Sequence, residues 1–336
     1  MRVTIKDVAK KAGYSTATVS LILNRKCSHF SKRAIYRVNQ AAKELGYRPN
    51  RLAISMVTKQ THVIGLIIPD NSNMFFAELS KAIEMSARKF GYSVVYGNSS
   101  NEPLRDMEYI QMFEDRQVDG VIFTKSFSAN EENDLETAEL IQCSKLPFVL
   151  VDRELSGNHI SSVLLNHRRG GYLATKHLLE QGHRRIGCIT GPHTVTSSKQ
   201  RLQGYRDALE EFGVAYCESY IFEGDFQMNS GRIGMNELLH QSVTAVFSFN
   251  DMMAYGVYQA IAEQGLRIPE DVSVVGFDDL WVSSTLHPAL TTVHQPVEEI
   301  GAKTVEVLLT EMEGNIIERS CIFEPTLVIR NSVMAR

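Results

Sequence analysis

Thr4-Ile5-Lys6-Asp7-Val8-Ala9-Lys10-Lys11-Ala12-Gly13-Tyr14-Ser15-Thr16-Ala17-Thr18-Val19-Ser20-Leu21-Ile22-Leu23 is the stretch on which the fold of this chain turns. Ile5, Val8, Ala9 and Ala12 recur at helical spacing and make one apolar stripe. Thr4 supplies an N-cap oxygen, and Asp7 lies near the positive end of the helix dipole. Gly13 breaks the helix, as a tight turn with positive φ requires. A second short helix, 16–23, has Ser15 as its cap. A third, from about 32 to 45, is capped by Ser31 and closed by Gly46. Helix, glycine turn, short helix and longer helix in so short a span is the helix-turn-helix layout, whose second helix enters the major groove of DNA.

The composition of that second helix suits the role. Thr16, Ala17 and Thr18 begin it, and small side chains at a helix N-terminus let the backbone approach bases and phosphates. Charge agrees. Residues 1–60 hold 13 Lys and Arg against two acids, Asp7 and Glu44, a net of +11. The other 276 residues hold 22 Lys and Arg against 37 acids, a net of −15. The basic end is an electrostatic footprint for phosphate, and the acidic remainder is repelled by it. The plainer reading is a small surface helical bundle with an incidental basic face.

These residues resemble the lactose-repressor (LacI/GalR) family of bacterial transcription regulators. The resemblance rests on Thr4-Ile5-Lys6-Asp7-Val8-Ala9, Ala12-Gly13-Tyr14-Ser15, Thr18-Val19-Ser20, Leu23-Asn24 and Leu45-Gly46-Tyr47-Arg48-Pro49-Asn50. It implies a head over 1–46, a hinge helix or linker over 47–61, and an effector-binding and dimerisation core over 62–336. It makes Thr16, Ala17 and Leu21 base-facing. Thr4, Ser15, Thr18, Asn24, Arg25, Ser31, Arg33 and Asn50 become candidates for contact with the DNA backbone. In the hinge, Ala53 and Met56 face the minor groove, with Met56 the apolar wedge. Met56 stands where the family usually has Leu, Ile54 where Arg is common, and Leu21 where many members have Arg or His. Leu21 cannot hydrogen-bond guanine but can touch a thymine methyl. The operator sequence is therefore not inherited from a relative.

Length and composition bound the rest. A chain of 336 residues suits two or three domains, and 43% hydrophobic with 22% charged residues can bury sizeable cores. The five cysteines form no CxxC pair, and their odd number argues against a disulfide framework. With no signal peptide and no long apolar run, the chain reads as soluble and cytoplasmic, with no membrane partner.

From His62 strands and helices alternate. Val63-Ile64-Gly65-Leu66-Ile67-Ile68 is an unbroken apolar run, as a buried parallel strand is. Similar runs start at Ser93, Gly120 and Phe148, with helices between them. A second series starts near Ser162 and continues at Arg185, Ala245 and Val272. The pattern predicts βαβ units and two doubly wound parallel sheets facing a cleft, a two-lobed α/β core. The family fold adds that each lobe is discontinuous and resembles the periplasmic binding proteins. Crossovers are expected near 158–161, 289–292 and 322–324. Lobe 1 is then about 62–160 and 292–322, and lobe 2 about 161–291 and 323–332.

Ligands of such sheets bind beyond the carboxyl ends of the strands. Asn73, Phe75 and Phe76 follow the first strand, Asp152 and Arg153 the fourth. Arg201, Phe226, Asn250, Asp278 and Gln295 lie after later strands or turns. Together they suit a sugar: Phe rings stack on its apolar faces, and Asp, Asn, Gln and Arg bond vicinal hydroxyls. Each alone has a blander reading: Phe75 and Phe76 as core aromatics, Asn73, Asn250 and Asp278 as helix caps, Asp152-Arg153 as a plain ion pair. The ribose-binding relatives of these lobes carry a similar set, so the resemblance implies ribose or a related pentose or hexose. Trp281 reads equally as a cleft or a core residue.

Enzyme chemistry has no motif. The chain lacks a phosphate-binding Gly-Lys loop, a GxSxG elbow, an HExxH helix and any Cys/His metal spacing. No catalytic residue, metal or cofactor is expected. A free solute-binding protein would leave the basic head idle. A regulator answering to a purine corepressor or a phosphorylated carrier protein stays open. The expected partners are double-stranded operator DNA, a small-molecule effector and a second copy of the chain, since no heptad tail suggests a larger assembly.

Overall fold

The structure, a computed structural model, describes residues 3–23, 29–47, 60–127, 131–155, 160–315 and 320–336. The chain divides into two units, Met1–Thr61 and His62–Arg336. The expectations for Asn24, Arg25, Asn50, Ala53, Ile54 and Met56, and with them the hinge helix, lie outside the described residues.

In the first unit α1 is Ile5–Ala12, α2 Thr16–Leu23 and α3 Lys32–Glu44. The Asp7 carboxylate accepts from the Thr4 amide at 2.9 Å and from the Thr4 hydroxyl at 2.7 Å, which ties down the start of α1. Gly13 ends α1 with φ 75°, the left-handed conformation for which its position was read. Ser15 and Ser31 cap α2 and α3 by accepting from Thr18 N at 3.1 Å and Ala34 N at 3.2 Å. Val8, Val19 and Val38, one from each helix, are fully buried against one another's helices in a small core finished by alanines. Each such side chain contributes about 1.5–3 kcal/mol.

The second unit holds two six-stranded sheets. In the first lie β1 Val63–Ile68, β2 Ser93–Asn98, β3 Gly120–Phe123, β4 Phe148–Val151, β5 Ser161–Leu165 and β11 Ser320–Phe323. Their order is β11-β5-β4-β3-β1-β2, all parallel. Both faces are covered. Ile64, Leu66 and Ile68 pack toward α4 (Met74–Lys89), while Ile67, Val121 and Phe123 pack toward α5 (Pro103–Asp115) and α6 (Glu131–Cys143). That two-sided burial is why these strands read as unbroken apolar runs.

The second sheet holds β6 Ile186–Thr190, β7 Ile221–Glu223, β8 Ala245–Ser248, β9 Ser273–Asp278, β10 Thr291–His294 and β12 Thr326–Val328. The order is β12-β10-β9-β8-β6-β7, parallel except for β12. Its helices are α7 His167–Glu180, α8 Thr196–Glu211, α9 Met228–Leu239 and α10 Asp251–Glu263, while α11, Val297–Met312, packs on the first sheet. Gly171 of α7 and Gly204 of α8 let these two helices cross in near backbone contact: a Cβ on Gly171 would overlap the Arg201 carbonyl, and one on Gly204 the Arg168 carbonyl.

Two of the expected lobe boundaries are corrected. The strand 161–165 was expected to open lobe 2, but it pairs with β4 and β11 in the first sheet. Strand 291–294, expected at the lobe 1 boundary, pairs with β9 in the second. The chain therefore crosses at 166 and at 295–296, a few residues later than 158–161 and 289–292, and the third crossing falls at 324–325, beside the expected 322–324. The reason is nonlocal. A short apolar run fits either sheet, and pairing partners far along the chain decide which one it joins.

Candidate functional site

The head presents its candidate residues on exposed surface. Val19 and Ile22 anchor α2 in the core, so Thr16, Ala17 and Leu21 face outward, Leu21 at 42% exposure. An exposed Leu on a short helix is available for apolar contact. Thr4, Ser15, Ser31 and Arg33 are exposed, and Thr18 is half-buried. The hydroxyls of Ser15 and Thr18 meet at 2.9 Å. Thr4, Ser15 and Ser31 thus serve as caps, and a hydroxyl engaged in one such bond keeps capacity for another.

In the core both sheets change direction at their first strand, with β1 between β2 and β3 and β6 between β7 and β8. Binding crevices form at such points. There a pocket is lined by Asn73, Phe75, Phe76, Asp152, Arg153, Ser197, Arg201, Phe226, Asn250 and Asp278. Nine of the ten residues expected from sequence meet in it. The tenth, Gln295, is buried behind, with Nε2 donating to Asp278 Oδ1 at 2.7 Å.

Local structure aims each side chain. Asn73 caps α4, accepting from Phe75 N at 3.0 Å, and this brings Phe75 and Phe76 into the first turn, packed edge to face at 5.2 Å. The blander reading of Asn73 as a cap is thus also true. Asn250 caps α10, accepting from Met253 N at 2.9 Å, while its Nδ2 donates to the Phe226 carbonyl at 3.0 Å. Arg153 donates from Nη1 to the Lys125 carbonyl at 2.8 Å and lies 5.4 Å over the Phe76 ring. Its Nε stands 3.6 Å from Asp152. Arg201 donates to the Phe249 carbonyl and stacks 3.6 Å over Phe277. Its Nε and Nη2 both face His167 Nδ1, at 3.3 and 3.2 Å.

Asp152, Phe226 and Asp278 carry positive φ angles of 67°, 67° and 118°. Such backbone costs on the order of 1–3 kcal/mol each and gathers where a site needs it. Here it turns two carboxylates and a ring into one space. Burial pushes Asp278 well above the usual carboxylate range, although Arg201 opposes it. Burial likewise raises Asp152 against Arg153 and Arg201. His167 is driven well down by burial and by the two guanidiniums, so it is neutral and accepts from Arg201. Two carboxyl groups beside two guanidiniums offer acceptors and donors together, suited to a ligand rich in hydroxyls.

Sequence reasoning missed Ser197 and His167. Ser197 sits in the first turn of α8, after β6, at the same carboxyl end as the others, so that rule reaches it too. His167 follows β5, whose sheet was misassigned. Trp281 is 65% exposed in a 3-10 turn, 281–284, so it is no core residue, and it does not line the pocket. Cys188 is buried but Cys143 is exposed. Among the described residues no group of three His, Cys, Asp or Glu has metal-holding geometry, and no helix is long and apolar enough to cross a membrane.

The profile of the bacterial regulatory proteins of the lacI family matches residues 4–50, and that of the periplasmic binding protein-like domain matches residues 175–333. The HTH-type transcriptional repressor PurR of Aliivibrio salmonicida (strain LFI1238) is 37% identical over 334 residues, covering 98% of each chain. The crystal structure of the Lac repressor dimer bound to operator and the anti-inducer ONPF superposes with a TM-score of 0.89 at 30% identity, covering 100% of each chain. The transcriptional regulator CelR–cellobiose complex superposes with a TM-score of 0.74 at 31% identity, covering 98% of this chain and 100% of the other.

Proposed function

Because this chain belongs to the lacI family of bacterial regulatory proteins and is a DNA-binding transcriptional repressor, we propose that a sugar bound between its two core lobes releases it from its operator. The protein acts as a cytoplasmic homodimer without catalytic activity. Each subunit sets one head, 1–46, on a half-site of a near-palindromic operator, since a two-fold dimer requires one. Thr16, Ala17 and Leu21 face bases. Asn50, Ala53 and Met56, in the hinge 47–61, engage the backbone and minor groove.

The observation that carries the effector is the convergence of Asp152, Asp278, Arg153, Arg201, Asn73, Asn250 and three Phe rings on one pocket. Ribose or a related pentose or hexose is the reading. Residues of both lobes line the pocket, so a ligand filling it favours the closed form, in which paired hinge segments no longer fit together on DNA. A ligand shifts such an equilibrium only by its differential affinity, and a swing from 1:99 to 99:1 needs roughly 5.5 kcal/mol. Two ligands per dimer share that requirement.

Fluorescence anisotropy of the full chain on its own upstream DNA tests this, titrated with ribose and then other sugars, sugar phosphates and purines. Release by a sugar is the expected result. Tightening by any ligand reverses the switch and makes this a corepressor system. DNA binding that no small molecule alters overturns the effector reading and leaves a protein partner in its place.

A further inference from the structure

Behind the pocket two residues in succession carry positive φ, Asp278 at 118° and Asp279 at 58°. Such a pair persists only where its surroundings fix it. Here they are fixed by Asp251, in the first turn of α10 beside the pocket residue Asn250. Asp251 is fully buried and does not line the pocket. Its Oδ2 accepts from Leu280 N at 2.9 Å and from the Ser283 hydroxyl at 2.5 Å. Its Oδ1 accepts from the Thr292 hydroxyl of β10 at 2.6 Å, and Thr292 accepts in turn from Asp279 N at 3.4 Å. One carboxylate thus ties the far side of the strained pair to α10 and to the neighbouring strand. Gly276 makes room for it: a Cβ there would stand 2.2 Å from Asp251 Oδ1.

The same contacts bear on charge. Three donors on one carboxylate favour its ionised form, whereas Asp278 receives one, from Gln295. Burial raises both carboxyls, and they titrate together. Asp251, with more donors, ionises first, and its charge then opposes that of Asp278. The other charges facing Asp278 are Arg201, which favours its ionised form, and Asp152, which opposes it. Asp279 also opposes Asp251, and is itself held by Arg330 at 2.6 Å and His294 at 3.0 Å. Burial pushes Tyr255 and Tyr258 up, so both stay neutral.

We propose that Asp251 is a positioning residue for the effector response: it holds the strained turn that aims Asp278 into the pocket, and its charge governs that of Asp278. This role rests on the sugar reading above and deepens it.

Calorimetry of ribose on the full chain from pH 5 to pH 9, with operator anisotropy beside it, tests this. In Asp251→Asn the amide oxygen can still accept from Leu280 and Ser283 while the amide nitrogen faces the Thr292 hydroxyl, so the turn stays and the charge goes. A sugar hydroxyl donates to ionised Asp278, so affinity rises with pH until that form is full, and without the Asp251 charge it fills at lower pH. Asp251→Asn should therefore keep ribose affinity at pH 8 within about threefold and move its rise down by about one pH unit. Asp251→Ala leaves buried donors unmet and the turn untied, and should lose ~10-fold or more in ribose affinity while operator affinity holds within about twofold. If Asp251→Ala does not fold, the pH profile of Asp251→Asn decides. A profile equal to that of the unaltered chain, or moved upward, overturns the role, as does full ribose affinity in Asp251→Ala. An unaltered chain that binds no ribose at any pH overturns the sugar reading, and this role with it.

Discussion

Gln227 donates from Nε2 to Asp70 Oδ2 at 3.2 Å, joining the segment after β1 in one lobe to the segment before α9 in the other. Gln227 is exposed and Asp70 half-buried, and the nearby Asn73 and Phe226 line the pocket. The contact therefore favours the closed arrangement, but weakly, since an exposed charge contact contributes about 1 kcal/mol or less. Gln227→Ala should raise the effector concentration for half-release by no more than about fivefold, read in the operator anisotropy assay. A shift of a hundredfold would mean that this contact does more than hold the lips together.

Arg153→Ala removes a guanidinium that faces Asp152, caps the Phe76 ring and reaches the Lys125 carbonyl. Leaving a buried carboxylate without its partner costs about 3–5 kcal/mol. The melting temperature should fall, while the folded variant keeps operator affinity and loses sugar response by about 100-fold or more. Release at the unchanged sugar concentration would rule out the cleft as the sensing site.

Asp278 gives a pH dependence of known sign. Its carboxyl in the folded protein lies well above its ordinary value of 3.8 because it is buried. The stability that this group contributes is therefore full below its unfolded pKa and is lost as pH rises through its folded pKa. A sugar hydroxyl donating to the carboxylate favours the ionised form, so effector binding should release protons and tighten as pH rises. Asp278→Asn still accepts from Gln295 and should flatten that slope while weakening binding. Titrations at pH 5 and pH 8 decide it; an equal slope in the variant assigns the effect to another group.

Gly171→Ala puts a methyl group against the Arg201 carbonyl at the α7–α8 crossing. Backbone cannot yield as a flexible side chain does, so a loss of about 1–3 kcal/mol is expected, with weaker sugar binding because Arg201 moves with its helix. Chemical denaturation of the variant measures the first and calorimetry the second. Unchanged stability would show that the two helices separate freely.

Leu21→Arg adds a fork of donors to an exposed position, so stability should change by less than about 0.5 kcal/mol. Half-site preference should shift toward guanine at the contacted base pair, by about 1–3 kcal/mol of discrimination, measured by selection from a randomised operator. An unaltered consensus would place Leu21 away from the bases.

The head was almost wholly legible in the sequence. Thr4, Gly13, Ser15 and Ser31 act on neighbours within a few residues, so caps and turn could be read where they stand, and the structure finds them so. The candidate pocket was legible for a related reason. A polar residue just past a parallel strand lies at one end of a sheet wherever that strand sits in the order, and so Asn73, Asp152 and Asn250 were found before any pairing was known. His167 and the crossover at 166 were not found, because β5 carries the same apolar signal whichever sheet receives it.

The sequence by itself determined that this chain has a basic helical reading head and a core of alternating strands and helices, because periodicity, capping and charge are properties of short stretches. The tertiary structure alone decided which strands share a sheet, where the chain crosses between lobes, and how Asp152, Asp278, Arg153 and Arg201 face one another with their protonation tuned by burial. Those outcomes depend on strand pairing and desolvation between residues distant in the chain, and neither leaves a mark on any one stretch of it.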